Sequence, residues 1–273
     1  MRQFLTYESR HPRFRSPDPD ALNEVHMRLT RVYVDAAMIP GSVVELPLET
    51  ALHLAKVLRI RSGDKLVLFN GDGSEFDGAI ASVRGSRVSA SIAAGRQVNR
   101  ESPFATTLVQ CVPRGDRMDF VVQKATELGV TRIVPVLSQR NIVRLDARQA
   151  ESKAAHWRAV ALGACEQCGR NRLPVIESAR PLLHYLGELA PSAGLRVVFE
   201  PDSQPSLQTS ALESIAAAEV AIGPEGGFAP DELEAFRVSG FSHMSLGPRI
   251  LRTETAALAA LTWLQIRFGD MHA

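Results

Sequence analysis

The residues whose types and spacing could do chemistry lie in two loops near the C-terminus. The glycine loop, residues 223–229, contains three glycines and Glu225, and the arginine loop, residues 246–252, contains Arg249 and Arg252. Each loop follows a short apolar run and precedes a helical pattern, which is typical of a strand–loop–helix junction. Ligands of open α/β sheets bind where such junctions cluster at the carboxyl ends of strands. We therefore predict that the two loops form one ligand site.

Acidic residues restrict the ligand of this site. Glu225 lies in the glycine loop, and Pro230, Asp231 and Glu232 open the predicted helix that follows it. A P-loop instead offers bare backbone N–H groups and a lysine to phosphate. Because three carboxylates near one helix N-terminus would repel phosphate, we expect a neutral or cationic ligand. For either loop alone, a tight turn whose glycines only supply positive φ is the alternative.

Composition indicates a soluble globular protein. The chain has 273 residues, of which 45% are hydrophobic and 22% charged, which is long enough for two domains. No apolar run approaches the roughly 20 residues that span a membrane, and the polar N-terminal residues do not look like a signal peptide. The three cysteines do not suggest a disulfide framework. We expect a cytoplasmic protein without membrane contact.

Cys165 and Cys168 have the spacing of a redox or zinc motif, but their context favours neither. A redox pair opens a helix after a strand, whereas these cysteines end a helical pattern just before Gly169. Zinc would require further Cys or His ligands at matching spacing. We expect both thiols to pack in the protein and predict no metal site.

The net charge of +1 hides a basic middle segment. Residues 114–172 contain 11 Lys and Arg against 6 Asp and Glu, whereas residues 173–273 contain 6 against 12. Arginine suits bidentate contacts with phosphate, so the segment favours an anionic partner such as a nucleic acid. For any single arginine, a solvated helical face is the better interpretation.

The hydrophobic pattern divides the chain into three parts. Residues 1–27 have little apolar pattern and are predicted to be disordered or non-native, with Met27 as the hypothetical start of translation. Residues 28–100 show short alternating strands, turns and one helix over 49–58, which predicts a small β-barrel. Residues 101–273 alternate strands with helices, which predicts an α/β domain with a mainly parallel sheet.

Five segments together resemble the signatures of the ribosomal RNA small subunit methyltransferase E family. They are residues 114–120, 123–129, 164–172, 222–227 and 246–255. The resemblance covers about residues 30–270 and implies a SPOUT-class α/β domain with a trefoil knot, preceded by a PUA-like RNA-binding barrel. A knot would be an exception to the rule that chains avoid threading. Residues 1–27 match nothing in the family.

The resemblance also implies a cofactor. Members of this family use S-adenosylmethionine to methylate N3 of a specific uridine in bacterial 16S rRNA. This cofactor carries a sulfonium cation and no phosphate, which agrees with acidic loops. The residues expected to bind it are Phe199, Glu200, Pro201, Gly223, Pro224, Glu225, Gly226, Gly227, Leu246, Gly247, Arg249, Ile250 and Leu251.

The implied reaction requires a proton acceptor and a cation. The uracil N3 proton must leave, and a cation beside the uracil carbonyl would stabilise the developing anion. Arg252 and Arg140 are the candidates for the cation, and Glu254 is the candidate base or orienting group. The residues expected to contact RNA are Arg114, Arg117, Lys124, Arg144, Arg170 and Arg172.

The family further implies a homodimer whose site is completed across the interface, and 16S rRNA or the small ribosomal subunit as partner. The apolar helix predicted over 253–268 would suit a subunit interface or a buried core equally. Two other functions stay open. One is a non-catalytic RNA-binding or ribosome assembly factor, and the other is methylation of a different RNA.

Overall fold

Two β-sheets organise the chain, the first with one hydrophobic core and the second with a core on each of its faces. The computed structural model describes residues 29–191, 194–201, 203 and 215–271. The predicted N-terminal extension, residues 1–27, lies outside the described residues. The division between a β-rich N-terminal part and an α/β C-terminal part agrees with the sequence pattern, while the boundary at residue 100 stays a prediction.

The N-terminal sheet is mainly antiparallel. Its strands are β1 (Thr30–Tyr33), β2 (Val43–Glu45), β3 (Lys65–Phe69), β4 (Ser74–Arg84) and β5 (Arg87–Gln97). They lie in the order β1-β3-β4-β5-β2, and only β1 and β3 pair in parallel. Among the described residues the edge strands β1 and β2 pair only with β3 and β5, so backbone hydrogen bonds do not close this sheet into a ring.

The helix of the N-terminal domain differs from the sequence prediction of one continuous segment. Helix α1 (Leu48–His53) passes directly into a π-helical turn, Leu54–Leu58. Arg59 ends the turn in the left-handed region at φ 50°. The apolar pattern of the sequence cannot distinguish an α-helix from a π-helical turn here. Ala51 and Leu54 are both buried against the sheet, as a continuous α-helix would also place them.

The C-terminal sheet is parallel throughout. Its strands are β6 (Ala105–Cys111), β7 (Arg132–Leu137), β8 (Val175–Ile176), β9 (Arg180–Pro181), β10 (Leu195–Phe199), β11 (Ala217–Ile222) and β12 (Ser242–Met244). The order is β12-β10-β11-β6-β7-β8, with β9 also paired to β7. This confirms the predicted parallel sheet.

Helices cover both faces of this sheet, which explains its continuous apolar strands. Leu108 and Val220 face a core that includes residues of α2 (Arg117–Glu127), α3 (Ala147–Cys168) and α6 (Thr253–Arg267). Their neighbours Val109 and Ala221 face the opposite core, which includes residues of α4 (Leu182–Gly187) and α5 (Pro230–Val238). The result is a sheet sandwiched between two helical layers, as expected for an α/β domain.

The two domains meet at the end of α3. Gly169, at φ 95°, ends this helix and directs the following residues toward β1 and β4. The backbone N–H of Tyr33 donates to Glu166 Oε1 at 3.0 Å, and Asn171 donates to the carbonyl of Val98 at 3.0 Å. The guanidinium of Arg31 donates to both Asn171 and the buried Glu75. Polar contacts of buried groups therefore hold the domains together.

Candidate active site

A pocket of about 280 Å³ lies where β10, β11 and β12 end. Because all three strands are parallel, their following loops emerge at the same edge of the sheet. All predicted cofactor-binding residues except Gly226 line this pocket, together with Arg252. The other lining residues, which were not among the predicted cofactor-binding residues, are Ile222, Phe228, Thr253 and Ala256, of which only Ala256 lies outside the segments that the sequence indicates.

The glycine loop needs its glycines for two different reasons. A Cβ atom on Gly223 would lie 3.1 Å from the ring of Phe228, so any side chain there would crowd that ring. Gly227 has φ 68°, and its N–H donates to the carbonyl of Pro224 at 2.9 Å, which closes a tight turn. Steric contact at one glycine and backbone conformation at the other thus fix the shape of the pocket wall.

A buried hydrogen-bond chain joins the glycine loop to the start of α6. The hydroxyl of Thr253 donates to the carbonyl of Gly223 at 2.7 Å and accepts from Gln110 Nε2 at 2.9 Å. Gln110 lies on β6 and is fully buried. The sequence did not single out Gln110, because its place in a strand gave no sign that α6 would begin against it.

Of the three carboxylates that the sequence suggested, only Glu225 lines the pocket. Glu232 is only 1% exposed and accepts from the backbone N–H groups of Gln139 and Ala229, while Asp231 accepts from the side chain of Gln139. Neither lines the pocket. The acidic residues that do line it are Glu225 and Glu200, from different loops.

Arg117 links these elements. Its guanidinium, at the start of α2, donates to Glu225 Oε1 at 2.6 Å and lies 3.9 Å from Glu254 Oε1. The backbone N–H of Arg114 reaches the same Glu225 oxygen at 3.4 Å. The other oxygen of Glu254, Oε2, is buried and finds no hydrogen-bond partner among the described residues.

The three predicted catalytic residues take different positions. Arg252 lines the pocket, is exposed, and makes no side-chain hydrogen bond or ion pair within the described part of the chain. Glu254 follows in the first turn of α6. Arg140 does not line the pocket, and its guanidinium donates to the carbonyl of Gly226 at 3.2 Å. Like Arg140, Glu254 does not line the pocket, so among the three only Arg252 does, and the catalytic roles of all three stay predictions.

The predicted RNA contacts divide into exposed and engaged side chains. Arg114, Arg144 and Arg172 are exposed, with Arg144 also donating to the carbonyl of Gln139 at 3.3 Å, whereas Lys124 pairs with Glu127 at 2.8 Å. The prediction that Arg170 contacts RNA is wrong. It is 5% exposed, binds Glu101 at 2.5 Å and donates to the carbonyls of Thr126 and Val130. Because its donors are used inside the protein, Arg170 stabilises the end of α3 and is unsuited to bind RNA.

Cys111 and Cys165 are buried, whereas Cys168 is partly exposed. Burial raises the pKa of Cys165 to about 12 and also raises the pKa of Cys111, which disfavours the reactive thiolate. In the described ranges, no group of three or more His, Cys, Asp or Glu side chains could hold a metal ion. No helix there is long and apolar enough to cross a membrane.

Comparisons with known proteins identify the family. Residues 100–265 match the model of an RNA methyltransferase domain, and residues 47–93 match that of an RNA methyltransferase PUA domain. A ribosomal RNA small subunit methyltransferase E from Buchnera aphidicola (subsp. Schizaphis graminum) is 33% identical over 244 residues, which cover 89% of this chain and 98% of that protein. The chain belongs to the ribosomal RNA small subunit methyltransferase E family. The Bacillus subtilis member of the family is 31% identical over 220 residues, or 78% of this chain and 86% of that protein.

Solved structures agree with this assignment. A ribosomal RNA small subunit methyltransferase E from Neisseria gonorrhoeae, bound to S-adenosyl methionine, has a TM-score of 0.83 and 36% identity, covering 89% of this chain and 100% of that one. A methyltransferase from Legionella pneumophila, with bound SAM, has a TM-score of 0.83, 38% identity and the same coverage. The predicted family and its two-part fold are confirmed, while the trefoil knot stays a prediction.

Proposed function

We propose that this protein is an S-adenosylmethionine-dependent enzyme that methylates ribosomal RNA of the small subunit, at N3 of a uridine in 16S rRNA. One observation carries the proposal. The loops after three parallel strands form a single pocket in a chain whose relatives from Neisseria gonorrhoeae and Legionella pneumophila hold this cofactor.

The lining of the pocket suits a cation with an apolar part. Apolar side chains and the backbone of the two loops make up most of its wall, and its charged residues are Glu200, Arg249, Arg252 and Glu225, of which Glu225 is paired with Arg117. Backbone N–H and C=O groups can form hydrogen bonds to an adenine ring, and carboxylates favour a nearby sulfonium over a phosphate. The residues present therefore fit S-adenosylmethionine.

Methyl transfer to N3 removes the positive charge of the cofactor and releases a proton from the neutral uracil. The methyl group leaves the sulfonium, which becomes a neutral thioether, while a new N–C bond forms at N3 and the N3 proton leaves. The exposed guanidinium of Arg252, on the pocket wall, can stabilise negative charge on a uracil carbonyl. Glu254, two residues later, is our candidate for accepting or orienting the proton.

RNA has to bring its base close to the cofactor. The exposed guanidinium groups of Arg114, Arg144 and Arg172 are suited to bind phosphate groups. Lys124 belongs to the same proposed set, with its ion pair to Glu127 in competition. A homodimer that completes the site, and a cytoplasmic location where small subunits assemble, are further parts of the proposal.

Two measurements test the function. Calorimetry with purified protein should show that S-adenosylmethionine binds, and a strain that lacks the protein should lose one N3-methyluridine from its 16S rRNA, as mapped by primer extension and mass spectrometry. Restoring the wild-type protein should restore the mark. A protein that binds no cofactor would instead be an RNA-binding or assembly factor, and a mark lost from another RNA would move the substrate there.

A further inference from the structure

Arg117 occupies a position that RNA contact does not explain. Its side chain is 37% exposed, and its guanidinium points at Glu225, whose own side chain is 26% exposed and lines the pocket. The Nη1–Oε1 distance of 2.6 Å is that of a strong, charge-assisted hydrogen bond. Arg117 itself does not line the pocket. A side chain used in this way has little freedom left to bind a phosphate group.

Three elements meet at this guanidinium. Arg117 begins α2, Glu225 lies in the glycine loop, and Glu254 belongs to the first turn of α6, 3.9 Å away. A planar guanidinium with five donors can hold two carboxylates in a fixed relation, whereas a lysine ammonium would hold them as a point charge. Arg117 also neutralises two acidic groups that would otherwise repel each other beside the pocket.

We propose that Arg117 is a positioning residue that holds the glycine loop in its cofactor-binding shape through Glu225. This inference rests on the proposed function, because it concerns the same cofactor pocket. Arg140 supports the next residue of the same loop by donating to the carbonyl of Gly226 at 3.2 Å. The two contacts fall on neighbouring residues, Glu225 and Gly226, so this part of the wall is held by two arginines that do not line the pocket themselves.

The fraction of time that the glycine loop spends in its binding shape sets the apparent affinity for the cofactor. If the loop adopts its binding shape for only a fraction of the time, the apparent dissociation constant rises by the inverse of that fraction. Losing the Arg117 contact should therefore weaken cofactor binding without removing any atom from the pocket. It should leave RNA affinity unchanged, which a phosphate-binding arginine would not do.

Calorimetry of S-adenosylmethionine binding to the full chain, without RNA, tests the proposal. Arg117→Ala should raise the dissociation constant about fivefold to tenfold, as expected when the competent loop population falls to a fifth or a tenth. Arg117→Lys should recover part of the loss, since the charge remains without the planar fork. In the Glu225→Gln background, Arg117→Ala should have little further effect, because the contact through which it acts is already weakened.

A matched control removes an arginine from another ion pair. Arg237 pairs with Glu234 on the exposed side of α5, so Arg237→Ala removes one charge and one ion pair while leaving the pocket lining intact. Arg117→Ala and Arg237→Ala should unfold at similar temperatures, while only the first weakens cofactor binding. Filter binding of 16S rRNA fragments at low salt should give Arg117→Ala the wild-type affinity.

Several results would overturn the proposal. Wild-type cofactor affinity in Arg117→Ala would do so, as would an equal loss in Arg237→Ala or an effect fully additive with Glu225→Gln. Weakened RNA binding with unchanged cofactor affinity would make Arg117 an RNA contact. If the wild-type chain itself bound no S-adenosylmethionine, both the proposed function and this inference would fail. If the wild-type chain bound S-adenosylmethionine and Arg117→Ala bound it with the same affinity, the inference alone would fail.

Discussion

The side chain of Arg252 combines exposure with a place on the pocket wall, and this makes it the residue on which turnover should depend most. Replacing a donor that stabilises developing negative charge costs about 100-fold to 1,000-fold in rate. We expect Arg252→Ala to lower the methylation rate by about 100-fold while cofactor affinity changes little. Single-turnover transfer of a radiolabelled methyl group, alongside calorimetry, measures both. Undiminished turnover would remove Arg252 from the mechanism.

Thr253 should contribute, through its hydroxyl, both to stability and to cofactor binding. Its hydroxyl connects Gly223 and Gln110, so Thr253→Val keeps the shape of the side chain but leaves two buried polar groups without their partner. We expect the free energy of unfolding to fall by about 1–3 kcal/mol, and cofactor binding to weaken as the glycine loop loosens. Urea unfolding measures the first effect. Thr255→Val, on the exposed face of α6, is the control and should be nearly neutral.

Helix α3 shows what a capping box contributes to an element. Asp146 accepts from the N–H of Gln149 at 2.8 Å, and the side chain of Gln149 accepts from the N–H of Asp146 at 3.0 Å. Asp146→Ala should lower the free energy of unfolding by about 1 kcal/mol, whereas Asp146→Ser should keep most of it. Thermal and urea unfolding of the two variants check this. If Asp146→Ser lost as much free energy of unfolding as Asp146→Ala, the capping hydrogen bond would not be the source of the loss.

The elements also show where sequence reasoning works. Strands such as β6 and β11 can be predicted because their apolar residues, buried on both faces of the sheet, leave a recognisable cluster. The two-residue strands β8 and β9 carry no such pattern, and the polar first turn of α3 lacks the apolar periodicity that would mark where this helix begins.

The candidate site likewise has features that can be predicted from the sequence and features that cannot. Local loop chemistry indicated the glycine and arginine loops, since glycines and charged residues at strand ends are visible in a single segment. The burial of Arg170 and the bond between Gln110 and Thr253 depend on contacts between distant segments. No local pattern encodes these contacts, so they emerge only when the sheet order and the domain junction are known.

At the scale of the whole molecule, the junction at Glu75 should make stability depend on pH. Burial alone would raise the pKa of this carboxyl, but hydrogen bonds from Arg100, Arg31 and Asn171 outweigh burial and lower it to about 2. Because the folded pKa lies below the ordinary value of 4.5, the stabilisation is fully present above about pH 4.5 and is lost as the pH falls toward 2.

We therefore expect the wild-type protein to lose stability between pH 4.5 and 2 more steeply than Glu75→Gln, which carries no titrating group at this position. Glu75→Gln should also be less stable at pH 7, because three arginines lose part of their buried partner. Chemical unfolding at a series of pH values measures both effects. Parallel pH profiles for the two proteins would contradict the assignment.

The order of strands in the parallel sheet has a consequence for how the chain acquires its structure. Ala105, the first residue of β6, pairs with Ala217 of β11. Strand β6 is the first strand of this sheet to be synthesised, and its neighbour β11 is synthesised more than a hundred residues later. Such non-local pairing slows folding and leaves apolar edges open to aggregation in the meantime. Substitutions that weaken β11 should therefore reduce the yield of soluble protein through delayed folding, even where the finished molecule would tolerate them.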